Sequence, residues 1–375
     1  MKELAGSPVT SVPEPRLVAW EITRSCNLRC AHCRASAENC QYEGELSSQE
    51  CFDLIDGIMD VGRPILILTG GEPLMRDDFF DIARYAADQG LRVVVGSNGT
   101  LITGEIVARM KDVPIARLGV SIDFPTRELQ DSFRGVSGAF EAALAGIECA
   151  RSCGIEVQIN STITKLNAHY LDDLINLALD VGAVAFHPFL LVPTGRGREL
   201  GEHALTAQEY EQLLLYIYRK QKELEGRLFI KPTDAPHYMR VVHQQEGKTR
   251  SAHPDNLPTA SGSHGSMTSI TRGCLAGTGF CFISHVGSVQ GCGYLDVPAG
   301  NVREESFSRI WRSSPLFVRL RDYSQLKGKC GLCEYKVVCG GCRARAYEAT
   351  GDYMESEPYC VYQPKGETYV TGHYR

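Results

Sequence analysis

Between residues 17 and 193, short apolar runs rich in β-branched residues alternate with longer stretches in which apolar positions recur every three or four residues. The runs 17–23, 65–69, 91–96, 117–122, 156–163 and 183–192 have the composition and length of strands. Between them, 49–61, 78–89, 139–153 and 171–181 each carry one apolar face and predict amphipathic helices. Strands that alternate with helices pair in parallel through crossover connections, so the pattern predicts an α/β fold built on a partial (β/α)6, TIM-like barrel. On such a sheet the functional groups collect at the carboxyl ends of the strands.

A further helix is predicted over 207–224, after which the periodicity fades. Residues 244–270 are rich in Ser, Gly, His and Pro and predict a mobile connector or lid, having little apolar surface to bury. The chain therefore divides into an N-terminal extension over 1–16, a barrel over 17–235, a linker or lid over 236–273 and a cysteine-rich domain over 274–375. Sparse apolar periodicity in the last of these predicts that it needs metal to fold. A length of 375 residues suits one large unit with a smaller appendage, and no internal repeat is present.

A net charge of −6 and a pI near 6.0 give no global basic field, which argues against a nucleic-acid partner. No run of eighteen apolar residues and no charged-then-apolar leader occurs, so neither a membrane span nor export is expected and the predicted location is cytoplasmic. Cysteine changes the picture: there are 15, too many for an unspecialised protein of a reducing compartment, where clustered thiols are more often metal ligands than disulfides.

Cys26, Cys30 and Cys33 follow the first strand directly, so one tight loop presents three thiolates at its carboxyl end. Three thiolates on a four-iron cluster would leave one iron open; on spacing alone a zinc site or unrelated core thiols compete. Thr69-Gly70-Gly71-Glu72-Pro73 follows the second strand, Ser97-Asn98-Gly99 the third and Ser121-Ile122-Asp123 the fourth. Asn160 lies on the fifth strand and Pro193-Thr194-Gly195-Arg196 follows the sixth. Turn formation and strand-end capping would explain any one of these segments alone. Towards the C-terminus come Cys274, Cys281 and Gly287-x4-Cys292, then Cys330-x2-Cys333-x5-Cys339-x2-Cys342 and Cys360. Eight thiols suffice for two four-cysteine clusters or for a pair of zinc ribbons. Cys40, Cys51, Cys149 and Cys153 remain, and are expected to be buried core thiols.

The CxxxCxxC loop with a GGEP segment resembles the signature of the radical S-adenosylmethionine (SAM) superfamily. The resemblance implies a [4Fe–4S] cluster on Cys26, Cys30 and Cys33 with SAM chelating its open iron. It further implies that Gly70, Gly71 and Glu72 meet the SAM amino group, the Glu72 carboxylate accepting from it. Asn98, Ser121 and Asp123 would meet its carboxylate and ribose, and Asn160 and Arg196 would complete the cradle. His32 stands where the family usually has another aromatic ring and would pack beside adenine. The C-terminal array resembles a SPASM domain, which holds auxiliary [4Fe–4S] clusters. By that resemblance Cys274, Cys281, Cys292 and Cys342 hold one cluster, and Cys330, Cys333, Cys339 and Cys360 the other. Two residues between Cys339 and Cys342, where the family often has three, leave the first grouping open, above all at Cys281.

Within this family, residues 15–21, Arg34-Ala35 and the segments 273–277, 282–287 and 292–294 resemble the haem synthases of the siroheme-dependent pathway. That implies an iron-porphyrin substrate, Fe-coproporphyrin III, whose two propionates are oxidatively decarboxylated to vinyls. An auxiliary cluster would receive the substrate's electron, and an external donor such as flavodoxin or ferredoxin would reduce the enzyme. Related siroheme and haem d1 enzymes and peptide-modifying SPASM maturases are the alternatives. Only about sixteen residues precede the first strand, leaving no room there for a leader-binding domain. Candidate partners for porphyrin carboxylates are Arg16, Arg134, Arg196 and Arg240. His187, His237 and His285 are candidate iron ligands, and Tyr238 and Tyr294 candidate cavity walls. No catalytic base is assigned, because hydrogen-atom abstraction needs none.

Overall fold

In the computed structural model, which describes residues 12–247 and 272–365, the predicted βα alternation forms one curved sheet. The parallel strands are β1 (Leu17–Thr23), β2 (Ile65–Gly70), β3 (Arg92–Ser97), β4 (Arg117–Ser121), β5 (Val157–Ile163), β6 (Ala185–Leu190) and β7 (Phe229–Ile230). The connecting helices are α1 (Ser48–Met59), α2 (Phe79–Asp88), α3 (Gly104–Asp112), α4 (Arg127–Arg134), α5 (Ala139–Ser152), α6 (Leu171–Asp180) and α7 (Ala207–Glu223). Two of them begin with capping boxes, Ser47 with Glu50 on α1 and Thr206 with Glu209 on α7, which satisfy the free N–H groups of the first turn.

Period-two alternation assigns the two faces of the sheet. Val18, Trp20, Leu66, Leu68, Val93, Val95, Leu118, Val120, Ile159 and Phe186 are buried in one apolar cluster with Ile55, Ile58, Ile82, Ile147, Leu174 and Leu214 of the helices. The opposite, inner face carries small or polar residues at Ala19, Thr69, Gly96, Gly119, Ser121 and Asn160, which leaves the barrel interior open to a ligand.

Two features differ from the sequence expectation. The stretch after residue 236 does not start as a linker: α8 (His237–Gln245) buries His237, Tyr238, Met239, Arg240 and Val241. The remainder of the predicted connector, 248–270, lies outside the described residues. The cysteine-rich region, for its part, is joined to the barrel's sheet. Strand β8 (Phe280–Ile283) pairs in parallel with β1, Val18 opposite Cys281, and continues into the antiparallel strands β9 (Ser288–Cys292) and β10 (Leu295–Asn301). The sheet order is β10-β9-β8-β1-β2-β3-β4-β5-β6-β7. Helices α9 (Phe307–Ser313) and α10 (Pro315–Arg321) then place Phe307, Ile310, Trp311, Phe317 and Leu320 in the main core, so this region has more apolar periodicity than expected. The short α11 (Gly328–Leu332) and α12 (Arg343–Thr350) complete the described fold.

A buried ion pair fastens α12 to the barrel. Arg345 is 1% and Glu357 0% exposed, with Nε donating to Oε1 at 3.1 Å. The remaining Arg345 donors reach the carbonyls of Leu190 and Leu191 (3.4 Å each), the Tyr210 hydroxyl (2.8 Å) and the Asp234 carbonyl. Glu357 in turn accepts from the Cys342 backbone N–H at 2.7 Å.

Candidate active site

The loop after β1 brings Cys26, Cys30 and Cys33 into a small cluster of their own. Each sulfur accepts an N–H: Cys26 from Leu28 N (3.4 Å) and Asn98 Nδ2 (3.9 Å), Cys30 from Arg134 Nη1 (3.6 Å), and Cys33 from Ala37 N (3.4 Å). Burial pushes the Cys26 thiol up to about 12 and raises that of Cys30, so thiolates here require a strong positive charge at the sulfur. Donors aimed at sulfur together with that requirement fit a thiolate-bound metal cluster. Among the described residues no three His, Cys, Asp or Glu side chains draw close enough to share a single ion.

The loop is gripped from two sides. From α4, the carbonyls of Arg134 and Phe133 accept Arg29 N (3.0 Å) and Ala31 N (2.9 Å), and His32 stacks on Phe133 with ring centroids 4.7 Å apart. From the turn after β6, Arg196 N donates to Cys33 O (3.0 Å), Nε to Cys30 O (2.9 Å) and Nη1 to Ala37 O (3.0 Å). Gly195 has φ +54°, and a Cβ there would stand 2.2 Å from Arg34 O, so this contact demands glycine. Gly71 has the same role below the loop, its missing Cβ leaving 2.4 Å to the carbonyl oxygens of Arg24 and Ser25.

Several predicted contacts take another form. The Glu72 carboxylate is fully buried and already accepts from Ser97 Oγ (2.9 and 3.0 Å), Asn98 N (2.8 Å) and Leu74 N (3.2 Å), so it organises the end of β3 and does not face a ligand. Burial raises it to about 7. Asp123 is likewise buried, its Oδ2 2.5 Å from Arg134 in an ion pair and its Oδ1 accepting from Thr162 N at 2.7 Å. It positions the guanidinium that meets Cys30. Asn98 Nδ2 donates to Asn27 Oδ1 of the cysteine loop (2.8 Å), while Ser121 and Asn160 lie half-buried on the inner face. The turn at Gly70 and Gly71 is tied to the start of the cysteine loop, Gly71 N donating to Thr23 O (2.9 Å) and Glu72 N to Ser25 O (2.8 Å).

Beyond the first strand lies a charged knot that the sequence did not announce. Glu21, fully buried, accepts from Arg34, from Arg24 Nε (3.2 Å), and lies 2.8 Å from His285 Nδ1. Arg34 also sits over the Phe282 ring at 4.4 Å, tying the cysteine loop to β8. His285 is thus engaged by an acid, and Arg134 and Arg196 bond to the loop. Arg240 pairs with Glu211, and Tyr238 is buried in the core.

Cys330, Cys333, Cys339 and Cys360 line one cavity of about 400 Å³, part of it open to solvent, together with His237 and Arg240. Three of the sulfurs accept backbone N–H groups at 3.4 Å, from Glu357, Tyr335 and Gly341. This donor set fits a four-cysteine cluster. Cys274, Cys292 and Cys342 act on one another electrostatically, with Asp234 beside Cys292, whereas Cys281 points away, fully buried within β8 with Arg321 as its charged neighbour. The structure therefore does not bring Cys281 to its predicted partners. Of the remaining thiols Cys51 is buried, Cys149 and Cys153 are half-buried, and Cys40 is exposed, contrary to expectation.

The chain is 51% identical over 350 residues to an AdoMet-dependent heme synthase of Methanosarcina barkeri, covering 93% of this chain and 97% of that relative. The radical SAM superfamily profile matches residues 20–180. The chain belongs to the radical SAM superfamily. A SPASM iron–sulfur cluster-binding domain matches residues 274–342. An AdoMet-dependent heme synthase of Nitratidesulfovibrio vulgaris is 50% identical over 359 residues, 95% of each chain. Among solved structures, Streptococcus suis SuiB bound to S-adenosylmethionine shares the fold, with a TM-score of 0.70 at 16% identity over 93% of this chain and 78% of that one. As a radical SAM enzyme with a SPASM domain, the chain works with [4Fe–4S] clusters and SAM. Among the described residues no helix is long and apolar enough to cross a membrane.

Proposed function

We propose that this chain forms haem b by oxidative decarboxylation of the two propionates of Fe-coproporphyrin III. The 51% identity that spans 93% of the chain carries this reading. Cys26, Cys30 and Cys33 hold the SAM-cleaving cluster, with the backbone of Gly70 and Gly71 beside the SAM amino group. Cys330, Cys333, Cys339 and Cys360 hold an auxiliary cluster, and Cys274, Cys292 and Cys342 are the donors of a second. When bound, clusters and SAM together supply a reductively generated 5′-deoxyadenosyl radical and an acceptor for the substrate's electron.

The protein's own residues do the rest. Arg134, held by Asp123, keeps a positive charge against Cys30, and Arg196 fixes the loop that carries all three thiols. Small residues on the inner face leave room for a broad ligand next to that loop, and burial there excludes water from a radical. Each propionate loses one hydrogen atom, one electron and carbon dioxide, so two SAM molecules are consumed per haem. We place the enzyme in the cytoplasm, reduced by a flavodoxin or ferredoxin.

Anaerobic incubation with SAM, dithionite and Fe-coproporphyrin III tests this. The expected products are haem b and two 5′-deoxyadenosines per haem. Deoxyadenosine formed with no change in porphyrin mass overturns the proposal.

A further inference from the structure

Three adjacent strands and the residue that follows a fourth place polar side chains at a single level of the barrel's inner face. Register pairs Ser121 with Asn160 and Asn160 with His187, and the bond from Lys231 N to Phe186 O (3.1 Å) carries that level onto the residue after β7. Alternation puts this row opposite Val120, Ile159, Phe186 and Ile230, which are buried against the helices. Beside it on β4 there is no side chain: a Cβ on Gly119 would stand 2.9 Å from Asn160 Nδ2.

Gln158, on the same face one level below, orders the row. Its Nε2 donates to Asn160 Oδ1 at 2.7 Å and to His187 Nδ1 at 3.1 Å. A neutral imidazole that accepts at one nitrogen carries its proton on the other. His187 Nε2 is therefore an N–H donor, and it is buried with no hydrogen-bond partner among the described residues. Lys231 stands beside it with no acidic neighbour among the groups acting on it; burial and Arg16 both push its ammonium towards the neutral form. A donor and an ammonium on a half-buried wall are costly to leave unanswered, and an anion with two oxygens answers both.

We propose that Lys231 and His187 Nε2 form a carboxylate-binding site that holds one propionate of the substrate, with Gln158 as the positioning residue that fixes the imidazole tautomer. The site rests on the functional reading above and specifies its substrate contacts. It also removes His187 from the candidate iron ligands, since a protonated nitrogen has no lone pair to give.

The test uses full-length, anaerobically reconstituted protein and absorption titrations with Fe-coproporphyrin III and with its tetramethyl ester, which keeps the macrocycle and removes the charges. Lys231→Met is expected to weaken binding of the acid about tenfold to a hundredfold and to leave ester binding unchanged, at wild-type iron content. Lys231→Arg should restore most of the loss. His187→Gln should weaken acid binding without moving the porphyrin spin-state bands. Equal affinities for wild type and Lys231→Met, with wild type still making haem b, overturn this site alone, as does an equal loss for acid and ester. Altered spin-state bands in His187→Gln overturn the donor assignment. Wild-type protein that leaves the porphyrin unbound overturns the functional reading together with the site.

Discussion

Replacing Arg345 by Met tests whether the ion pair under α12 holds the C-terminal region to the barrel. The guanidinium is 1% exposed and its partner Glu357 0% exposed, so the variant leaves a carboxylate buried with only backbone donors, Cys342 N at 2.7 Å and Tyr359 N at 3.3 Å. Removing one member of such a pair costs about 3–5 kcal/mol. Loss of the Arg345 donors to the Leu190 and Leu191 carbonyls adds to that cost. Against a total of about 5–15 kcal/mol, the loss is a large share of the stability. Bound clusters break two-state unfolding, so the comparison uses thermal midpoints of four anaerobically reconstituted proteins: wild type, Arg345→Met, Glu357→Gln and the double variant. Arg345→Met should fall by about 4–6 °C, and the double variant should recover more than half of that drop. A drop of less than about 2 °C, or a double variant that falls by the sum of the singles, would refute the argument.

Three further outcomes follow from the geometry. Gly195→Ala, whose Cβ would stand 2.2 Å from Arg34 O, should lose about four irons per chain on reconstitution while the auxiliary sites fill; full iron content counts against the clamp. Cys281→Ala should keep wild-type iron content and Cys292→Ala should not; iron analysis showing the reverse would return Cys281 to the ligand set. Glu21 is lowered from 4.5 to about 2, because His285, Arg34 and Arg24 outweigh its burial. A depressed carboxylate stabilises the fold fully above its unfolded pKa, so wild type should exceed Glu21→Gln by up to about 3 kcal/mol at neutral pH. That gap should close as pH falls from 4.5 towards 2, and a pH-independent gap sinks the assignment.

How much of this was legible depends on how far apart in sequence the partners lie. Strands β1 to β6 were readable to within two residues because each is a compact apolar run. Strand β7 was not, since two residues carry no alternation, and Lys231 was lost with it. Helices α3 and α4 went unmarked because polar residues dominate them. The thiol positions were legible because one loop carries the first three and close pairs carry the last. The roles of Glu72 and Asp123 were not: their partners Ser97 and Arg134 come from other segments, and a motif says nothing about which way a carboxylate turns. The SPASM resemblance counted Cys281 among the ligands and left it open, and strand alternation sends its side chain into the core.

Because β8 pairs with β1, strand β1 has an open edge until residues 280–283 have been made. Pairing across so long a separation is slow to form, and an unpaired edge invites wrong partners in the meantime. A gene fragment ending before that point should express as aggregate, whereas one ending after Asn301 supplies the missing neighbour and closes the edge.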